Sequence, residues 1–357
     1  MNLRLKLVQD WLKSESLDAL IISNYYNIYY LIGFKGLSPT EREAWVLITK
    51  KRSYFFTDAR YAVRIKNFET KFVTHEKNIV AHLKEIVETE KLHRVGFEAD
   101  DLKYREFQSF SKHFDLVPTN SLLIKIRAVK YDDEVNNIKK ACQIADQCLK
   151  DIIPHIKPGK TEREIALKIE WWLKEKNSDV AFYPIVAVDA NAAIPHYDTK
   201  ADATATIKKG SVVLIDFGAV YKNYLSDMTR MVFLGKPNEK IAKAYNTLLF
   251  AQQKAVAELK KIKDPAKIDS VCRELITNNQ FPNYSHSTGH GVGLEIHESP
   301  KISHKSEDVI AKNQIFTIEP GIYIEGKFGM RIEDTVWMRD DLTPEILTRF
   351  PKKLLII

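Results

Sequence analysis

An α+β fold in two domains is what this chain predicts, and three observations carry the prediction. Its 357 residues exceed the common domain size, which is about 100–150 residues. Helix-like and strand-like segments intermingle up to about residue 120. Past residue 130, two long amphipathic helices precede a series of strand–turn–strand ribbons. Taken in order, "LRLKLVQDWLKSESL" has helical spacing, and "DALIIS" and "AWVLIT" are β-branched apolar runs of strand length. Pro118, Thr119 and Asn120 predict a loop, and the domain boundary follows near residue 125, giving domains 1–125 and 126–357. After Lys130, the apolar positions Val135, Ile138, Cys142, Ala145 and Leu149 recur every three or four residues, behind an acidic opening at Asp132–Glu134 that suits the helix dipole. A second helix starts after a Pro158-Gly159 turn, with Thr161 and Glu164 at capping-box spacing. Trp171 and Trp172 on that helix are expected in the core.

Composition narrows the function. Apolar residues at 45% and charged residues at 28% match a globular protein. The net charge is +7, but the lysines are scattered in pairs such as Lys208-Lys209 and Lys260-Lys261, with no basic tract, so nucleic acid is not an expected partner. Cys142, Cys148 and Cys272 are odd in number and outside any CxxC spacing, which fits a reducing interior. The start, "MNLRLKLVQDWLK", alternates charge with leucine, and no apolar run approaches the ~18 residues of a membrane span. A cytoplasmic location away from membranes is expected.

Two later stretches carry the chemistry. In "SVVLIDFGAVYKNYLSDMTRMVFL" a polar turn at Lys222-Asn223 joins two strands, and counting back from it sets Asp216 opposite Asp227. In "IFTIEPGIYIEGKFGMRIEDTVWM" a turn centred on Gly326 sets Glu319 opposite Glu333. Like charges directly opposed across strands destabilise a sheet. A shared proton can neutralise such a pair, but four carboxylates flanked by apolar strands are better explained by divalent cations. Between the ribbons lies "HSTGHGVGLEIHE", residues 286 to 298, with three histidines and three glycines. Four carboxylates and one imidazole suit Mn²⁺, Co²⁺ or Zn²⁺ better than Ca²⁺ or Mg²⁺. Gly289 and Gly291, flanking His290, are expected to let the backbone approach the ions, leaving His286 and His297 for substrate.

Asp216, Asp227, His290, Glu319 and Glu333, within "LIDFG", "SDMTR", "STGHGVG", "IEPG" and "RIEDT", resemble the metal ligands of the Xaa-Pro peptidases, prolidase and aminopeptidase P. The likeness extends over nearly the whole chain: "NIYYLIGF", "FTDARY", "FYPIVAVDANAAIPHY" and "LTRFPKKLLII" are similar to segments of the same family. Asn223 and Ser287 stand where the family usually has glycine, and Asp189 where it is often small. None of the three is a ligand, and asparagine tolerates positive φ.

The resemblance implies a pita-bread catalytic domain preceded by a creatinase/prolidase-type α/β N-terminal domain. It implies two divalent ions, Mn²⁺ or Co²⁺ ahead of Zn²⁺. Asp216 would bind one, His290 and Glu319 the other, and Asp227 and Glu333 both. A metal-bridging hydroxide would attack the carbonyl before proline, with Glu319 moving the proton. His196 and His297 would hydrogen-bond the substrate, His286 would support them, and Arg331 would fix a substrate carboxylate or backbone oxygen. The substrate implied is a peptide with proline in second position, and the assembly a homodimer. Compact length and "FTDARY" favour an aminopeptidase P-like enzyme over a dipeptidase. A non-catalytic relative fits less well, because all five ligands are kept.

Overall fold

The computed structural model describes residues 3–64, 69–119, 122–202 and 205–357. The chain divides into two compact units, Met1–Lys125 and Ile126–Ile357.

The first unit is built on a six-stranded mixed sheet, in the order Glu69–Phe72, Ser53–Thr57, Ala44–Thr49, Ala19–Ile22, Arg94–Glu98, Asp115–Thr119. The strands Ala19–Ile22 and Ala44–Thr49 are buried at every position, as their unbroken apolar runs require. Phe110 and Leu83, from the helices Tyr104–Phe110 and Ile79–Glu90, cover Trp45, Phe56 and Val95. The loop expected at Pro118–Asn120 is not formed as such: Pro118 and Thr119 close the strand Asp115–Thr119, and Asn120 lies outside the described residues. That strand is at the sheet edge, where a proline costs no ladder hydrogen bond.

The second unit pairs helices with two larger sheets and two two-stranded ribbons, Val220–Tyr221 with Tyr224–Leu225 and Gly321–Ile324 with Phe328–Arg331. One sheet runs Leu355–Ile356, Met228–Phe233, Val212–Phe217, Ile185–Val188; the other runs Glu298–Ile302, Gly289–Gly291, Ile315–Ile318, Asp334–Met338, Pro344–Ile346. Along Val212–Phe217, alternate side chains serve opposite layers. Val213, Ile215 and Phe217 pack with the helices Asp132–Ile152 and Glu162–Glu175, while Val212 and Leu214 pack with Glu239–Glu258 and Pro265–Asn278. Sheets enclosed between helix pairs are the pita-bread architecture that the motifs imply.

Local signals explain the helices. Thr161 Oγ1 accepts from the Glu164 amide at 3.2 Å, and the Glu164 carboxylate accepts from the Thr161 amide at 2.8 Å. The buried stripe of that helix is Ile165, Ala166, Ile169 and Leu173. Trp171 is not in the core, contrary to expectation: it is 66% exposed, because two residues past Ile169 is about 200° around the helix. Trp172 is half-buried and donates Nε1–H to Asp151 at 3.1 Å.

Candidate metal centre

The first acidic ribbon turns at Lys222 and Asn223, both left-handed with φ of 48° and 67°, the geometry of a two-residue I′ hairpin. Tyr221 therefore pairs with Tyr224, and the register carries Asp216 opposite Thr229. The expected Asp216–Asp227 opposition is off by two residues. Asp227 lies two residues before Thr229, hence diagonal to Asp216 on the same side of the ribbon. In the second ribbon, Ile318 faces Asp334 and Gly321 faces Arg331, with Gly326 at φ +67° in the turn, so Glu319 and Glu333 occupy opposed positions between two ladders. There the pairing breaks, and their amides turn to neighbouring strands: Glu319 donates to Thr288 O at 2.7 Å, Glu333 to Thr229 O at 3.3 Å. This break ties both ribbons and the histidine loop into one structure.

His290 stands in the short strand Gly289–Gly291. A Cβ at residue 289 would sit 1.9 Å from Thr317 O, and one at residue 291 would sit 2.2 Å from Ser299 O. The glycines are thus needed for strands to approach one another, a different reason from the approach to ions expected above. His290 Nδ1 lies 3.1 Å from Gly291 O, and since a carbonyl only accepts, Nδ1 carries the hydrogen. Nε2 is left facing Glu319 Oε1 at 3.1 Å and Asp227 Oδ2 at 3.6 Å. Asp227, His290 and Glu333 offer donor atoms that all lie within 4.8 Å of one another.

A cation fits these residues on three counts. Buried Oδ1 atoms of Asp216 and Asp227 have no hydrogen-bond partner, an arrangement that costs about 1–3 kcal/mol per group if nothing else binds there. An imidazole lone pair and carboxylate oxygens converge, which requires a proton or a cation between them. Burial, then repulsion from Glu333, pushes Asp227 well above the ordinary carboxylate range, and burial with Glu319 and Asp216 does the same to Glu333. Burial raises Glu319 too, but the bond to His290 outweighs it and draws the group down to about 2. Bound cations relieve this repulsion, where protons would otherwise have to.

Around the acids the structure adds Tyr323, Thr317 and Thr229, which the spacing did not single out, and shows how Arg331 and His286 are held. Arg331 is held by four protein hydrogen bonds: Nε donates to Thr229 Oγ1 at 3.1 Å, Nη1 to Pro195 O at 3.1 Å and Tyr323 Oη at 2.8 Å, and Nη2 to Asp216. It braces Asp216. Tyr323 Oη also meets His286 Nε2 at 2.9 Å, and His286 Nδ1 lies 2.8 Å from Ser287 O, so His286 is not free as expected but locked. Thr317 Oγ1 accepts from the His290 amide at 3.1 Å and donates to Glu319 at 3.0 Å. Tyr323 follows Glu319 by four residues along one strand direction, which is the only signal that could have found it. His297 stacks edge-on to His290 with ring centroids 4.4 Å apart, and His196 is exposed and lines the same cavity of about 420 Å³. Phe182, Ile185 and Ile296 give that cavity an apolar side.

A cavity with convergent buried acids and a histidine, open to solvent, belongs to the class of metal-dependent hydrolytic sites. Residues 136–340 match the model of metallopeptidase family M24, and residues 4–129 that of the creatinase/prolidase N-terminal domain. A Xaa-Pro dipeptidase of Pyrococcus horikoshii is 34% identical, over 94% of each chain. Among solved structures, a Xaa-Pro dipeptidase from Bacillus anthracis superposes with a TM-score of 0.90 at 32% identity over 100% of both chains. An X-Pro aminopeptidase from Thermotoga maritima gives 0.84 at 32% identity, over 97% of this chain and 100% of that one. The chain belongs to metallopeptidase family M24 and is a metallopeptidase. No helix among the described residues is long and apolar enough to cross a membrane.

Proposed function

We propose that this chain is a dinuclear-metal Xaa-Pro peptidase, aminopeptidase P-like, which cleaves the bond between an N-terminal residue and a following proline. The observation that carries it is the convergence of Asp227, His290 and Glu333, with Glu319 at 3.1 Å from the same imidazole, around buried carboxylate oxygens that lack partners. Asp216, Asp227, His290, Glu319 and Glu333 would hold two divalent ions, Mn²⁺ or Co²⁺ before Zn²⁺. When bound, these ions supply an acidified water and polarise the scissile carbonyl. Glu319 is the residue that accepts the proton from the attacking water and delivers it to the leaving proline nitrogen. His297 and His196, which both line the cavity, hydrogen-bond the substrate. His286 and Arg331 act through Tyr323 and Asp216, keeping the acids in place. Phe182, Ile185 and Ile296 form a surface that suits a pyrrolidine ring.

Residues 126–357 would be the catalytic domain and 1–125 the creatinase/prolidase-type N-terminal domain. Three free, buried cysteines support a cytoplasmic setting, and the family resemblance supports a homodimer. The dipeptidase reading has its own support in the relatives named Xaa-Pro dipeptidase. One comparison separates the possibilities: hydrolysis of a Xaa-Pro dipeptide, a Xaa-Pro-Yaa tripeptide and a Met-Ala peptide by the same preparation. Cleavage of the tripeptide supports the aminopeptidase, cleavage of the dipeptide alone the dipeptidase, and preference for Met-Ala overturns both.

A further inference from the structure

Glu298, which lines the cavity, forms with Arg127 and Lys130 a second cluster of charges that no step above uses. The Glu298 side chain is 4% exposed, and Arg127 and Lys130 are 3% and 1% exposed. Lys130 Nζ donates to Glu298 Oε2 at 2.8 Å and to Arg127 O at 2.7 Å, and Arg127 pairs with Glu298 and, at 2.6 Å, with Glu295. Glu298 Oε1 also accepts from the amides of Leu294 and Glu295 at 2.9 and 3.0 Å. One carboxylate thus closes the loop that leads from His290 to His297. A Cβ at residue 293 would meet that carboxylate at 2.5 Å, so the loop is drawn tightly over it.

The clamp is anchored where the catalytic acids are. Gly293 O accepts from the Leu225 amide at 2.9 Å, two residues before Asp227, and the Lys130 amide donates to Asn313 O at 2.7 Å, ahead of the strand that leads to Glu319. His297 immediately precedes Glu298, in the bend that enters the strand Glu298–Ile302, so fixing the Glu298 side chain fixes the backbone that carries His297. We infer that Glu298, gripped by Arg127 and Lys130, is a positioning residue that sets the His297 ring against His290 and hence against the substrate. This rests on the substrate role proposed for His297.

A double-mutant comparison tests it. In otherwise wild-type protein, Lys130→Met lowers kcat/KM for a Xaa-Pro peptide on the order of 100-fold, the cost of a misplaced catalytic group, with metal stoichiometry unchanged. In the His297→Ala background the same change has no further effect, and Lys130→Arg restores most of the loss. Additive losses in both backgrounds, or no loss in the first, overturn the inference. Should Lys130→Met fail to fold, Arg127→Lys, which keeps the charge balance, carries the same comparison. In metal-free protein with ¹³C-labelled histidine, the His297 ring signal moves or broadens in the clamp variants while that of exposed His155 does not. An unmoved His297 signal overturns the clamp even if no Xaa-Pro peptide is cleaved, whereas loss of peptidase activity in the wild type alone counts only against the function.

Discussion

Asp227 and Glu333 are buried acids whose mutual repulsion a bound cation would relieve. Replacing either by alanine removes a donor from the closest cluster of the site and leaves the remaining acids and His290 unbalanced. We expect kcat/KM to fall by more than about 100-fold, because changing supporting groups alone costs about 10–100-fold. Metal content by elemental analysis falls with it. Tyr323→Phe is a subtler change, deleting one hydroxyl that holds both His286 and Arg331. A loss of about 10-fold in kcat/KM with an unaltered melting temperature is expected. Alanine in place of Arg331 does more harm, since it leaves buried Asp216 without its cation.

Among the elements, the helix Glu162–Glu175 and the first acidic ribbon respond to changes in their ends. Thr161→Ala removes the capping oxygen, and urea unfolding should register a loss of about 1 kcal/mol. In the ribbon, Asn223 sits at φ 67°, where glycine is as comfortable, so Asn223→Gly leaves stability within about 0.5 kcal/mol, while a β-branched residue there is strained. Gly218 is less forgiving: a Cβ there would lie 1.8 Å from Ser226 O, one residue before Asp227. Gly218→Ala must push the two strands apart, and both soluble yield and metal binding should drop. The register of this ribbon sets Asp216 opposite Thr229, two residues from the expected Asp227. The turn residues were legible, but which pair begins the ladder depends on backbone dihedrals that side-chain types constrain only loosely. Trp171 failed for a related reason, since its apolar character competed with a helical phase already occupied by Ile169 and Leu173.

At the scale of the whole molecule, metal and pH dependence divide between the units. Exhaustive chelation should abolish peptide hydrolysis and lower the melting temperature of the second unit, with Mn²⁺ or Co²⁺ restoring both; full activity after chelation would refute the metal site. The first unit has its own acid sensitivity. Burial raises the Asp18 carboxyl, but the His93 and Arg94 amides and Lys50 outweigh it and hold the group at about 2. A depressed folded-state value means the stabilisation is complete above the unfolded value near 3.8 and is lost as pH falls toward 2. Because the group is partly solvated, the effect is no more than about 1 kcal/mol. Asp18→Asn should flatten that part of the acid denaturation curve without touching activity at neutral pH.

The order of apolar runs, turn residues and acids along the chain determined the fold class, the long helices with their caps and the presence of two acidic ribbons around a histidine loop. These are local or periodic properties, written in neighbouring residues. Tertiary structure decided what contiguous sequence cannot express: that Arg331 is spent on Asp216, that Tyr323 reaches both Arg331 and His286, and that Glu298 meets Lys130 across 168 positions. Most of these pairings join different ribbons, loops and helix ends, and sequence spacing sets no distance between such elements.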